Sequence, residues 1–138
     1  MLVLAPFVLP LTALALDRYG LRRVQTLVAR APVRRRAPRG PLARRAQAER
    51  LAWIVQVSAA YGPWPANCLQ RSVLLWAFLN WRGLRGDLRI GVRRNASGGL
   101  SFHAWLEYDG LVLNDRRDIR QRYATFDRPV VPPDAHFS

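Results

Sequence analysis

The chain has 138 residues, 50% of them hydrophobic, and its formal net charge of +13 comes from arginine without any lysine. This length and composition fit one domain that is large enough to bury a core. The single cysteine, Cys68, excludes an internal disulfide. Nothing therefore argues for secretion, and a reducing cytoplasm would keep the thiol free.

The N-terminal segment is apolar but interrupted by prolines. Residues 1–16 are too few for a membrane-spanning helix, which needs about 20 residues, and no basic residue precedes them as in a signal peptide. Residues 11–31 have the apolar spacing of a helix, and residues 32–41 form an arginine- and proline-rich break. We therefore divide the chain into an N-terminal helical segment with a linker, residues 1–41, and a main domain, residues 42–138.

Two further helices are predicted in the main domain. The first covers residues 42–61. The second begins at Cys68, because Asn67 is a good N-cap whose side-chain oxygen can accept an N–H of the first turn. It continues through apolar residues to Gly83, which is typical of a helix C-terminus. Cys68 is thus predicted at the positive end of the helix dipole, which favours the nucleophilic thiolate over the thiol.

The pattern then changes to short, alternating strands separated by turn residues. The predicted strands are residues 88–93, 100–108, 111–113 and, more weakly, 123–126. An Asp109-Gly110 pair marks the turn between the second and third strands. Helices followed by an antiparallel β-meander favour an α+β domain.

The second and third strands offer partners for the thiol. If their loop is a three-residue turn with a bulge, His103 lies directly opposite Asp115 on one face of the pair. Asp115 would then accept the Nδ1–H of His103 and leave Nε2 facing outward. A two-residue loop would shift the pairing by one residue and weaken this contact. A cysteine, a histidine and a carboxylate in this order suggest a cysteine hydrolase or acyltransferase.

In this arrangement the start of the cysteine helix has to lie over the strand face that carries His103. The backbone N–H of Cys68 is one candidate oxyanion donor, and a second donor is needed. Side chains near enough in the sequence or on the same strand face to bind the oxyanion or the substrate are Asn67, Trp64 and Trp105.

Each of these residues also has a purely structural interpretation. A lone cysteine is usually a small buried hydrophobe, a strand histidine can be a hydrogen-bonded core residue, and Asp115 can be a turn residue. One cysteine and two histidines fall short of a zinc pattern, so no metal and no other cofactor is expected.

Several short motifs, taken together and in order, resemble those of the lasso-peptide maturation proteases. These are transglutaminase-like cysteine proteases of bacterial lasso-peptide clusters, similar to the C-terminal domain of the microcin-processing protein. The resemblance covers about residues 42–120. The motifs are Cys68-Leu69-Gln70-Arg71-Ser72, Arg82-Gly83-Leu84, Ile90-Gly91-Val92-Arg93, Phe102-His103-Ala104-Trp105-Leu106-Glu107 and Leu113-Asn114-Asp115.

The resemblance implies a papain-like or transglutaminase-like α+β fold, with a protease domain over residues 42–138. It implies Cys68, His103 and Asp115 as the catalytic triad. The implied substrate is a ribosomally made precursor peptide, cut between leader and core, whose core a separate asparagine-synthetase-like cyclase then closes. The position of a papain-type oxyanion glutamine is occupied by Gly62.

In this family a small recognition domain holds the leader and is either fused at the N-terminus or encoded apart. Residues 1–50 are too short and too broken by prolines for that domain, so a separate recognition protein is expected as a partner. The apolar, arginine-rich N-terminal helices are candidates for docking that protein or the leader.

Two alternatives remain open. The same fold can transfer an acyl group to an amine, as transglutaminases do. A non-enzymatic protein could instead bind nucleic acid or a membrane surface through the arginines of residues 18–50, and Arg18, Arg22 and Arg23 could meet lipid headgroups. No nucleic-acid motif is present and the arginines do not alternate with aromatic residues, so we expect no nucleic-acid partner.

Overall fold

A computed structural model describes residues 5–30, 36–62 and 66–125 of the chain. Three long helices come first and a small antiparallel sheet follows, which confirms the predicted α+β class. The elements are α1 (Ala5–Arg30), α2 (Pro41–Tyr61), α3 (Cys68–Trp81), β1 (Asp87–Arg94), β2 (Leu100–Tyr108), β3 (Leu111–Val112), α4 (Ile119–Arg122) and β4 (Ala124–Thr125). The predicted second and third helices and the predicted strands agree with the structure to within about two residues, whereas the short helix α4 was not predicted.

Helix α1 begins earlier than the predicted residues 11–31 and is interrupted at Gly20, whose φ of 76° lies outside the helical region. Its second half packs on the rest of the protein, because Val24 is buried in the same core as α2 and α3. Within the described residues, no helix is long and apolar enough to cross a membrane. The predicted linker lies partly outside the described residues, and the division of the chain at residues 41 and 42 stays a prediction.

The core lies between the helices and one face of the sheet. Helix α3 is deeply buried, since all residues from Ser72 to Leu79 are buried. Helix α2 adds residues such as Leu51 and Val55, and the sheet adds Leu88 and Leu106. Burying a leucine or valine side chain contributes about 1.5–3 kcal/mol, so this apolar packing is what fixes α3 against the sheet.

The sheet has the strand order β3-β2-β1-β4, and all neighbouring strands are antiparallel. Leu88 faces Leu106 across β1 and β2, on the side covered by α3. The opposite side carries His103, Trp105 and Glu107. At Gly91 on that side, an added Cβ would lie 2.7 Å from the Cβ of Tyr123, so only glycine fits.

This packing corrects one sequence-based expectation. The start of the cysteine helix was expected over the face of β2 that carries His103. Instead, the body of α3 packs on the opposite, Leu106 face, and its first turn reaches the edge of β2, where the Ser72 hydroxyl bonds to the Ala104 carbonyl. The physical reason is hydrophobic matching. Leu88 and Leu106 give the apolar side chains of α3 an apolar surface, and burying these side chains together is favourable.

The turn between β2 and β3 also differs from the prediction. Asp109 and Gly110 both have positive φ, 49° and 77°, which defines a two-residue type I′ loop. Tyr108 consequently pairs with Leu111, and the predicted three-residue loop is wrong. The type I′ turn wins because its twist matches the right-handed twist of the two strands, and Asp-Gly is a preferred sequence for it.

Candidate active site

The N-terminus of α3 is fixed by a complete capping box. Asn67 Oδ1 accepts the backbone N–H of Gln70 at 2.9 Å, and Gln70 Oε1 accepts the backbone N–H of Asn67 at 3.1 Å. This confirms the predicted N-cap. Cys68 is the first residue of the helix, and its free thiol belongs to a partly exposed residue. A nucleophile in this position has access to solvent and to the positive end of the helix dipole.

A buried hydrogen-bond network ties this end of α3 to the edge of β2. Ser72 lies one turn after Cys68, and its hydroxyl is shared between the carbonyl oxygens of Cys68, at 2.8 Å, and Ala104, at 3.1 Å. Asn114 Nδ2 donates to the same hydroxyl at 2.9 Å, while Asn114 Oδ1 accepts the backbone N–H of Leu106 at 2.7 Å. The network therefore joins the cysteine turn to Ala104, the residue after His103, and to Asn114, the residue before Asp115.

His103 and Asp115 are in contact in spite of the shifted register. Strand β3 ends at Val112, and the side chain of Asn114 takes the place of a backbone acceptor for Leu106. The chain thereby leaves the strand ladder, and Asp115 turns toward the imidazole. One carboxylate oxygen, Oδ2, contacts Nε2 of His103, and Oδ1 accepts the backbone N–H of Arg116 at 2.7 Å.

The ring nitrogen that contacts the carboxylate is Nε2, and the expectation of Nδ1 is wrong. Because Asp115 is not directly opposite His103, its carboxylate meets the imidazole at the tip of the ring and not near the backbone. Nδ1 of His103 is thus the nitrogen that does not face the carboxylate. The side chain of His103 is 23% exposed and that of Asp115 20%, so the pair lies at the protein surface.

Two aromatic rings hold the imidazole in place. The centroid of the Tyr123 ring lies 5.2 Å from that of His103, with the planes 26° apart, and the Trp105 ring lies at 6.1 Å and 28°. The guanidinium carbon of Arg93 lies 4.9 Å from the centroid of Tyr123. These stacked contacts restrict the rotation of the imidazole and so define the direction of its free nitrogen.

Below Trp105, the buried carboxylate of Glu107 anchors this aromatic layer. Trp105 Nε1 donates to Glu107 at 3.0 Å, and Arg120 makes a bidentate contact at 2.6 and 2.5 Å. Arg89 lies 3.4 Å away. Burial opposes ionisation of Glu107, but the hydrogen bonds from Arg120 and Trp105 and the nearby arginine charges outweigh it and lower the pKa of the carboxyl group.

The candidate oxyanion and substrate residues have different environments. Trp105 is fully buried, and the side chain of Asn67 is used in the capping box. Trp64 lies outside the described residues, and Gly62, at the position of a papain-type glutamine, ends α2. The identity of the second oxyanion donor therefore stays a prediction. No group of three metal-binding side chains occurs in the described parts of the chain.

Sequence reasoning missed three residues that shape this site: Ser72, Asn114 and Tyr123. Ser72 had a usable signal, because it lies one helical turn after the cysteine and directly before the apolar run that begins at Val73. Asn114 precedes the candidate carboxylate directly, and its amide suits the end of a strand. Tyr123 follows a region with weak secondary-structure signals, and only its contact with His103 reveals it.

Together, the fold and the site define an α+β protein with a cysteine at a helix N-terminus and a histidine–carboxylate pair on a neighbouring antiparallel sheet. The family model of the transglutaminase-like superfamily matches residues 11–127, and the chain therefore belongs to this superfamily. The superfamily includes cysteine peptidases and acyltransferases. Comparison with curated proteins and with solved structures gives no match.

Proposed function

We propose that this chain is a cysteine peptidase that removes the leader from a ribosomally made lasso-peptide precursor, with Cys68, His103 and Asp115 as its catalytic triad. The main support is the hydrogen-bond network through Ser72 and Asn114, which joins the cysteine turn of α3 to the backbone beside His103 and Asp115. The membership of the transglutaminase-like superfamily and the motifs of residues 42–120 also support it.

In the proposed reaction, Nδ1 of His103 accepts the proton of the Cys68 thiol, and Asp115 stabilises the resulting imidazolium through Nε2. The sulfur then attacks the carbonyl carbon of the scissile peptide bond, forming a C–S bond while the carbonyl electrons move to oxygen. The backbone N–H of Cys68, which belongs to the first helical turn and has no acceptor within the helix, would stabilise that oxyanion.

Collapse of the tetrahedral intermediate breaks the C–N bond, and the imidazolium gives its proton to the departing amine of the core peptide. A water molecule then attacks the thioester, its proton goes to His103, and the C–S bond breaks to release the leader carboxylate. The thiol is regenerated with the returned proton. If an amine replaced this water, the same acyl-enzyme would yield an amide, which is the acyltransferase alternative.

The proposal includes partners that act with this chain. A separate recognition protein would hold the leader, and an asparagine-synthetase-like cyclase would use the released core amine. Exposed apolar side chains on α1 offer a docking surface for the recognition protein, and that surface could also touch a membrane. These side chains are Leu11, Leu14, Tyr19 and Leu27. A reducing cytoplasm would keep the Cys68 thiol free.

The deciding experiment combines the precursor peptide, the recognition protein and this chain, and follows the product masses. Wild type should release leader and core with the mass of one added water, and Cys68→Ala should release neither. Cleavage by the alanine variant would eliminate the proposed nucleophile. Addition of an amine to the leader fragment, without hydrolysis, would favour acyl transfer.

The non-enzymatic alternative is tested separately by titrating the chain with duplex DNA and with anionic vesicles at increasing salt concentration. Binding through arginines would weaken steeply with salt. Strong, salt-sensitive binding by a chain that cleaves nothing would support this alternative.

A further inference from the structure

A groove of about 680 Å³ lies between the second half of α2 and the segment that follows β3. One wall is apolar and aromatic, with Trp53, Val57 and Tyr61 from α2. The other contains Arg71 from α3 and Asp115, the carboxylate that contacts His103. The groove therefore reaches one member of the proposed triad, Asp115, while Cys68 and His103 do not line it.

Two large aromatic side chains in this groove are exposed to solvent. Trp53 is 58% exposed and Tyr61 87%, although both belong to the helix that supplies core residues such as Val55. Exposed aromatic residues beside a charged group are typical of surfaces that bind a peptide, because they supply large contact areas at low entropic cost.

Arg71 gives the groove its chemical character. Its guanidinium Nε is buried and has no hydrogen-bond partner among the described residues. The acidic residue that lines the same groove, Asp115, already has partners for both carboxylate oxygens. One oxygen contacts His103 and the other accepts the backbone N–H of Arg116. A buried donor without a partner is destabilising, and a ligand that supplies an acceptor removes this penalty.

We propose that Arg71 binds the side-chain carboxylate of an aspartate or glutamate in the substrate peptide, while a neighbouring apolar residue of that peptide packs on Trp53 and Tyr61. A guanidinium is suited to this role, since its planar donors match a carboxylate in a bidentate contact. This proposal rests on the proposed peptidase function and adds a specificity determinant to it.

The helix geometry limits how far this acidic residue lies from the scissile bond. Arg71 follows Cys68 by three residues, so the two side chains lie on neighbouring positions of one helix face, with Cβ atoms about 5–6 Å apart. An extended peptide advances about 3.3–3.6 Å per residue. The acidic side chain bound by Arg71 therefore belongs within about three residues of the scissile bond.

The test uses internally quenched octapeptide mixtures in which one position at a time holds either Glu or Gln. For each position, kcat/KM is measured with wild type, Arg71→Gln and Arg50→Gln. Arg50 is an exposed residue of α2 that does not line the groove, so its variant is a control for the loss of one positive charge. Binding of the same peptides to the Cys68→Ala chain, with and without Arg71→Gln, is measured by fluorescence anisotropy.

At one position near the cleaved bond, wild type and Arg50→Gln should prefer Glu over Gln by about tenfold, and Arg71→Gln should lose this preference. Equal use of Glu and Gln by wild type at every position would overturn the subsite, even if cleavage is efficient. That comparison uses wild-type protein alone, so it does not depend on whether a variant folds.

Binding separates the two proposals. If the peptides are not cleaved but Glu binds about tenfold more tightly than Gln, and only through Arg71, the carboxylate subsite stands and the peptidase function fails. If neither peptide shows measurable binding or cleavage, the subsite is overturned as well.

Discussion

One face of β2 carries a row of side chains that runs from His103, which contacts Asp115, to Glu107. The two ends of this row differ sharply in their access to solvent. At the open end, His103 and Asp115 have side chains that are 23% and 20% exposed. At the closed end, Trp105 is fully buried and Glu107 is 2% exposed. Both ends contain a carboxylate, yet their partners differ. Asp115 contacts one imidazole and one backbone N–H, whereas Glu107 is held by Arg120, Arg89 and the Trp105 indole.

The difference shows how partners and solvent assign roles to similar groups. The carboxylate of Glu107 is buried and held by strong donors, so it stabilises the fold and the aromatic layer. Asp115 contacts the partly exposed imidazole of His103, so in the proposed reaction it can stabilise the proton that this ring accepts. The closed end is expected to control stability and the open end reactivity.

We expect the largest effect on activity from Asp115→Asn, which removes the carboxylate that contacts His103. The amide removes the negative charge that would stabilise a protonated His103, and its N–H₂ group can donate to Nε2 and so move the ring proton to Nδ1. We expect kcat/KM for precursor cleavage to fall by roughly 10³–10⁴-fold, with little change in stability. Stopped assays analysed by mass spectrometry measure the first quantity and thermal unfolding the second.

Asp109→Asn is the matched control, because it makes the same substitution in the exposed Asp109-Gly110 turn, where asparagine is equally suited to the positive φ. Its activity should equal that of wild type. Undiminished cleavage by Asp115→Asn would contradict the proposed role of this carboxylate.

The closed end is tested by Glu107→Gln. The amide cannot accept two guanidinium groups as a carboxylate does, and it leaves Arg120 without its charge partner. We expect the free energy of unfolding in chemical denaturation to fall by about 1–3 kcal/mol. The control is Glu49→Gln, whose pair with Arg45 is exposed and should contribute less than about 1 kcal/mol.

The same variant predicts a change in acid sensitivity. Because the pKa of Glu107 is lower in the folded protein than its usual 4.5, the unfolded chain takes up a proton first as the pH falls below that value. Protonation therefore favours unfolding, and the stability due to Glu107 is present above pH 4.5 and lost below it. Burial raises the pKa of Asp87, so its contribution to stability changes with pH in the opposite direction, in wild type and in Glu107→Gln alike. The wild-type unfolding free energy should thus approach that of Glu107→Gln in acid, and a constant difference would argue against a lowered pKa.

Much of this architecture could be predicted from local sequence signals. The Asn67 cap and Gly83 set the bounds of α3, because both act through hydrogen bonds and φ angles within a few residues. Strand β2 was predicted with its observed bounds, since alternation and flanking turns define it. The contact of His103 with Asp115 was also expected, but it was derived from a pairing of β2 and β3 that differs by one residue from the observed pairing.

What failed were the properties that depend on distant residues. The face of the sheet chosen by α3 follows from the combined burial of Leu88 and Leu106, which no local pattern reports. The contact through Nε2 follows from Asn114, whose side chain ends the ladder. Local sequence thus determines elements and caps, while the orientation of the imidazole depends on tertiary packing.

We expect the smallest effect from changing Tyr123, whose ring stacks on the imidazole of His103. Tyr123→Leu removes the ring and should lower kcat by about 2- to 10-fold with little effect on KM, because an aromatic pair contributes about 0.5–1.5 kcal/mol. Tyr123→Phe keeps the ring and should restore kcat, since the stacking does not require the hydroxyl.

A readout that does not need catalysis comes from the imidazole protons of His103 in NMR spectra. The Tyr123 ring lies 5.2 Å away and nearly parallel, so its ring current should shift these signals upfield in wild type and in Tyr123→Phe but not in Tyr123→Leu. Equal chemical shifts in all three proteins would mean that Tyr123 does not stack on the imidazole in solution. If the upfield shift is lost in Tyr123→Leu but kcat does not change, Trp105 and Asp115 are enough to orient the imidazole. Tyr123 would then contribute to packing and not to reactivity.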